Sequence, residues 1–196
     1  MSQIKLLHSG GNGVILSAPD SNPASDRTLK LPGDADGTIL TSNSSTGKIL
    51  QVIQTVKTDA FSTTSTSFVD ITGLSVNITP SVASSKILVT ATIDAFAQRT
   101  SSYNSMALVL LLRGTSPLIG GHMRGRIDNS DTANYFNSGG HVSLKFLDTP
   151  TYSVGDTLSY KIQGVNWASN STLFVNNEAG NTYYSKSTII AEEVAA

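Results

Sequence analysis

Between residues 48 and 196, apolar and polar side chains alternate in long runs: Leu74, Val76 and Ile78; Ile87, Val89, Ala91, Ile93 and Ala95; Val142, Leu144 and Phe146; Leu158, Tyr160 and Ile162. Successive side chains of an extended chain point to opposite sides, so a period of two predicts a strand with one buried face. Turn chemistry separates the runs, at Thr79-Pro80-Ser81, Arg113-Gly114-Thr115-Ser116-Pro117, Ser138-Gly139-Gly140, Thr149-Pro150 and Val154-Gly155-Asp156. About eight strands spaced in this way predict an all-β sandwich or barrel. No stretch carries a 3.6-residue apolar period with caps, and the Thr and Ile residues within 91–98 suit a strand better, so helix is expected to be nearly absent. The clearest strand is Lys86 to Ala97, whose aliphatic face (Ile87, Val89, Ala91, Ile93, Ala95) should point into the sandwich.

Residues 1–47 follow another pattern. They contain no Phe, Trp or Tyr, and Gly, Pro, Asp, Asn and Ser recur every few positions. A short unit appears twice, as Asn12-Gly13-Val14-Ile15-Leu16-Ser17 and Asp36-Gly37-Thr38-Ile39-Leu40-Thr41, and Gly47-Lys48-Ile49-Leu50 repeats its centre. Asn-Gly and Asp-Gly favour turns with positive φ, and the aliphatic residues after them favour strands, so each copy reads as a turn feeding a short strand. Pro19, Pro23 and Pro32 exclude a helix through this region. An extended strand-and-turn arm of this kind has no core of its own. The spaced aliphatics Ile4, Leu6, Val14, Leu16, Leu29, Leu31 and Ile39 are its candidate docking and assembly residues, ordered on contact with other chains.

Composition narrows the chemistry. Only 14 % of the 196 residues are charged, the net charge is −1, and there is no cysteine. A near-neutral chain has no field to hold a phosphate backbone, which argues against nucleic-acid binding. Lack of cysteine removes thiol catalysis, disulfides and thiolate metal sites. No window approaches the ~20 apolar residues of a membrane helix, so no membrane insertion is expected. Met1 to Lys5 lack the basic and then apolar pattern of a secretion signal, so synthesis in a cytoplasm without Sec export is expected.

No catalytic or metal constellation emerges. His8, His122 and His141 lack a Gly-x-Ser-x-Gly elbow, and Gly121-His122 and Gly140-His141 read as strand ends and turns. The acidic residues Asp59, Asp128, Asp131, Asp148 and Asp156 read as solvated turn residues. Asp34-Ala35-Asp36-Gly37 opens like a calcium loop, but Ser45 stands where its closing acid should be. Gly10-Gly11-Asn12-Gly13 leads into a strand with no Gly-Lys-Ser/Thr, so no nucleotide or other cofactor is expected. Met123-Arg124-Gly125-Arg126 reads as an exposed turn or an inter-subunit ion pair. The aromatics Tyr103, Trp167 and Tyr183, with Asn170, are candidates for a receptor-facing surface, because an aromatic face stacks on apolar sugar faces and an amide adds directional hydrogen bonds.

The N-terminal wording resembles a module of tail-fibre-like and other virion proteins of tailed bacteriophages, especially those of marine bacteria. The resemblance is carried by Ile4-Lys5-Leu6, His8 through Val14, Ala18 through Ala24, Asp26 through Leu29, Leu31-Pro32 and Asp36 through Leu40. It continues more loosely through Val52-Ile53-Gln54-Thr55, Phe61 through Asp70, Gly73 through Val76, Ile78-Thr79-Pro80 and Ser84 through Val89. It implies a non-enzymatic virion component, commonly a homotrimer, with an attachment arm (1–47) and a jelly-roll-like β-sandwich head (48–196). Its implied partners are further copies of itself, other virion proteins, and a host surface polysaccharide or protein. The chain is too short for a long shaft, which favours a short tail fibre or surface fibre. A capsid decoration protein, and a carbohydrate-binding or carbohydrate-cleaving protein, are the competing expectations.

Overall fold

The computed structural model describes residues 3–7, 9–11, 13–17, 48–99, 104–126, 136–167, 171–177 and 185–195, which form strands and turns without helix. The chain divides into two compact units, Met1–Ser44 and Ser45–Ala196. In the first, β1 (Gln3–Leu7) pairs antiparallel with β2 (Gly13–Ser17). The register sets Ile4 opposite Leu16 and Leu6 opposite Val14. Strand β2 begins at the glycine of the first Asn-Gly unit, and Gly11 takes a φ of 90° in the connection. The docking candidates Leu29, Leu31 and Ile39, and the second copy of the repeat, lie outside the described residues.

The second unit contains β3 (Ile49–Lys57), β4 (Phe61–Thr63), β5 (Val69–Ile78), β6 (Lys86–Arg99), β7 (Asn104–Arg113), β8 (Ser116–Arg126), β9 (Phe136–Asp148), β10 (Leu158–Asn166), β11 (Ser171–Val175) and β12 (Ser187–Val194). One sheet runs β5-β10-β7-β8; the other runs β3-β12-β6-β11-β4, with β9 also on β6. Strand β9 follows β6 from Ile87 to Arg99, while β12 takes residues 86–92 of β6 and β11 takes residues 95–99. Strands β11 and β12 therefore occupy successive stretches of one flank of β6, and β4 and β3 continue outward from them.

Counted as lanes, the unit has β3/β4, β5, β6, β7, β8, β9, β10 and β11/β12. The first lane pairs with the last, the second with the seventh, the third with the sixth and the fourth with the fifth. A long antiparallel hairpin rolled up on itself gives these pairings in two facing sheets, which is the jelly roll.

The core lies between the sheets and includes Leu74, Val76, Ile78, Val109, Leu111, Tyr160, Ile162, Leu173 and Ile189. Along β6, Ile87, Val89, Ala91, Ile93, Ala95 and Ala97 are buried, so the face expected to be inward is inward. An ion pair closes one end of this core. Arg113 Nη1 donates to both carboxylate oxygens of Asp148 at 2.7 Å, and Tyr160 Oη donates to Asp148 Oδ2 at 2.8 Å. Asp148 is thus buried rather than a solvated turn residue. Burial first, and then the Asp148 carboxylate, push the Tyr160 phenol well above its ordinary range.

Two glycine-marked turns are strand interior instead. Gly121-His122 lies within β8, where a Cβ on Gly121 would come 2.7 Å from Val142 Cγ1 across the seam with β9. Gly139, Gly140 and His141 lie within β9, where a Cβ on Gly139 would run into the Ala95 carbonyl oxygen. These glycines permit close approach rather than a reversal of the chain. The run Met123 to Arg126 is also strand, with Met123 buried, not an exposed turn.

Candidate functional site

Along β10, Tyr160 and Ile162 face the core, so Lys161, Gln163 and Val165 face outward. The antiparallel register sets Val165 beside Leu108 of β7, and Leu108 beside His122 of β8. Val165 is nevertheless only 4 % exposed. An outward side chain reaches such burial only when something lies over it, and here Thr66, Phe68 and Trp167 surround it around a cavity of about 190 Å³.

Trp167 follows directly on β10 and is 57 % exposed. Its backbone N–H donates to Met106 O at 2.9 Å, and its indole stacks on His122 with ring centroids 6.1 Å apart and planes 18° from parallel. The connection from β4 to β5 supplies the opposite wall. Ser65 N–H donates to Thr63 Oγ1 (3.1 Å), Ser67 N–H donates to Ser65 Oγ (3.1 Å), and Ser65 Oγ donates to Ser67 O (2.6 Å). Hydroxyls that bond backbone groups two residues away fold a short loop on themselves. Asn166 N–H then donates to Ser65 O at 2.8 Å, which fastens this loop to the end of β10 and holds Thr66 and Phe68 beside the indole.

The adjoining outward row is polar. Asp70 pairs in register with Gln163 and accepts hydrogen bonds from Gln163 Nε2 (2.7 Å) and Lys161 Nζ (3.0 Å). These two donors, Gln163 before Lys161, hold the Asp70 carboxyl below the usual carboxylate range. The charges of this row are therefore offset within it.

A larger cavity of about 360 Å³ is lined by Ser84, Ser85, Lys86, Thr149, Pro150, Thr151 and Tyr152. Its rim is tied down, since Tyr152 Oη donates to Val82 O at 2.6 Å and the Glu193 carboxylate accepts from Ser81 N and Val82 N. It carries no exposed aromatic.

Of the residues expected at a receptor-facing surface, Trp167 stands exposed at the slot, while Tyr103, Asn170 and Tyr183 lie outside the described residues. Sequence reading passed over Thr66, Phe68, Val165 and His122 as site residues. The Ser/Thr tract before Phe68 was the available signal, because side chain to backbone turns are what such a tract forms. Among the described residues no group of three or more His, Asp or Glu side chains could hold a metal ion. No described helix is long and apolar enough to cross a membrane.

No known family model matches the chain, and no curated protein sequence matches it. Solved structures similar to it include dimeric latent PorU from Porphyromonas gingivalis, at 10 % identity and a TM-score of 0.33, covering 80 % of this chain and 14 % of that one. The infectious bursal disease virus Gx strain structure follows at 17 % identity and 0.22, covering 76 % of this chain and 37 % of that one. The Gt strain structure has 17 % identity and 0.22, covering 95 % of this chain and 48 % of that one.

Proposed function

We propose that the chain is a non-enzymatic structural protein of a phage virion, a short tail fibre or surface fibre. Its arm, residues 1–47, docks to the particle, and its jelly-roll head is a homotrimer exposed for host attachment. The observation that carries this reading is the outward-facing slot of Trp167, Phe68, Val165 and Thr66. A large exposed indole stacked on His122 is surface suited to contact. The wording of residues 1–42 supports the virion part of the reading. So does the hairpin β1–β2, which among the described residues pairs with no other strand, because a two-stranded hairpin by itself is marginal in water and calls for a partner.

Mass spectrometry of purified particles, with gold-labelled antibody to locate the protein, tests the virion assignment. Particles carrying Trp167→Ala test the attachment role: they should assemble normally and adsorb to host cells about tenfold more slowly or worse. A chain lacking residues 1–47 should stay off the particle. Adsorption unchanged by Trp167→Ala would remove this face from host attachment.

A further inference from the structure

The slot beside Trp167 has features that specify what fits it, beyond contact in general. First, one face of the indole is occupied by His122, so a ligand ring can stack only on the other. Second, at about 190 Å³ the cavity lies below the 300–1,000 Å³ typical of pockets that enclose drug-sized molecules, which suits a single ring rather than an acyl chain or an extended peptide. Third, none of the four lining side chains is charged, and on the same outward face Lys161 and Asp70 neutralise each other at 2.9 Å. Among the described residues, neither the lining nor the Lys161–Asp70 pair selects for a phosphate or an anionic sugar. Fourth, its walls are apolar and aromatic, and the exposed, hydroxyl-bearing Thr66 is among the residues that line it.

We infer that this slot is a subsite for one neutral pyranose ring of a glycan. A pyranose matches it in each respect: it is compact, uncharged, apolar across its C–H face and hydroxylated around its edge. The C–H face stacks on the indole and Phe68 while an edge hydroxyl meets Thr66 Oγ1. An aromatic peptide side chain is the competitor for the walls, but its ring carries at most one polar group, whereas a pyranose presents several hydroxyls around its edge. For the source of the glycan, a host surface, the inference rests on the attachment reading above.

The chain has one tryptophan, so its emission reports this slot alone. The full-length protein is titrated with the methyl glycosides of galactose, glucose and N-acetylglucosamine, with glucuronic acid, and with N-acetyltyrosine amide. At least one neutral glycoside should shift the emission saturably in the millimolar range. Phe68→Ala and Thr66→Val should each weaken that response, Phe68→Ala by about tenfold. Trp167→Ala is followed by saturation-transfer NMR, where the ring C–H signals of the bound sugar should vanish while circular dichroism keeps its strand signature. Failure of every neutral glycoside to saturate the emission would overturn the inference. So would tighter binding of glucuronic acid or of the tyrosine derivative, or an affinity untouched by Phe68→Ala.

The two readings fail separately. If neutral sugars bind but Trp167→Ala particles adsorb like the parent, the attachment role falls and the sugar subsite stands. If those particles adsorb poorly while no sugar binds, the subsite falls and the attachment role stands.

Discussion

Ile93 and Thr92 are neighbours in β6 with opposite fates. Ile93 is fully buried opposite Val142, whereas Thr92 lies on the outward face between Thr188 and Ser143. Burying Ile93 removes apolar area worth roughly 1.5–3 kcal/mol, and an Asp in its place adds an unpaired buried charge. Ile93→Asp should therefore abolish soluble expression, while Thr92→Asp should melt close to the parent; equal melting of both would break the register. Asp148 offers a second test. It answers both Arg113 and Tyr160, so Asp148→Ala strands a guanidinium and a phenol and should cost about 3–5 kcal/mol in urea unfolding. The fate of Ile93 could be read from local alternation, because a strand's two faces are set by residues two apart. That of Asp148 could not, since Arg113 and Tyr160 reach it only through the sheet-to-sheet pairing of the fold. Gly121 and Gly139 were opaque for the same reason: their close neighbours Val142 and Ala95 are brought in by other strands.

At the scale of elements, β12 shows how one side chain secures a connection. Glu193 is buried, and its carboxylate accepts from Gln51 Nε2 (2.7 Å), Ser81 N (2.9 Å), Ser81 Oγ (3.0 Å) and Val82 N (3.1 Å). It thereby joins β3, β12 and the β5–β6 connection. Burial alone would push the Glu193 carboxyl up; the hydrogen bonds from Gln51 and from the Ser81 and Val82 backbone outweigh it and hold the group below its ordinary range. The folded state therefore keeps this carboxylate ionised to lower pH than the unfolded chain does. Its contribution to stability is complete above the ordinary carboxylate range and is lost as pH falls through the lowered value. Hydrogen bonds to a charged group contribute about 1.5–3 kcal/mol, so Glu193→Gln should lose up to that amount at neutral pH. The gap between variant and parent should narrow on acidification, as urea unfolding at several pH values would show; a gap independent of pH would mean that the charge contributes nothing. The strands joined here were foreseeable from their alternation, and the turn at Thr79-Pro80-Ser81 from its composition. The carboxylate that holds that turn was not, because it lies more than a hundred residues away.

Across the whole molecule the jelly roll leaves strand edges, and β3 is one whose composition is unusual. Among the described elements it pairs only with β12, and Ile49, Val52, Ile53 and Val56 along it are between 37 % and 54 % exposed. Edge strands of monomers are commonly guarded by charges or proline. The sole charged residue of β3 is Lys57, whose side chain is buried with its ammonium on Asp59 Oδ1 at 2.9 Å. An unguarded apolar edge of this kind is the surface that the proposed homotrimer would cover with a neighbouring copy. Size-exclusion chromatography with light scattering on the full chain should then give three times the 20.6 kDa chain mass. Val52→Lys combined with Val56→Lys places two charges along that edge without touching the core, so the variant should keep its strand content and fall to the mass of one chain. A parent that elutes as a monomer would remove the trimer. A doubly substituted protein that stays trimeric would move its interface away from β3.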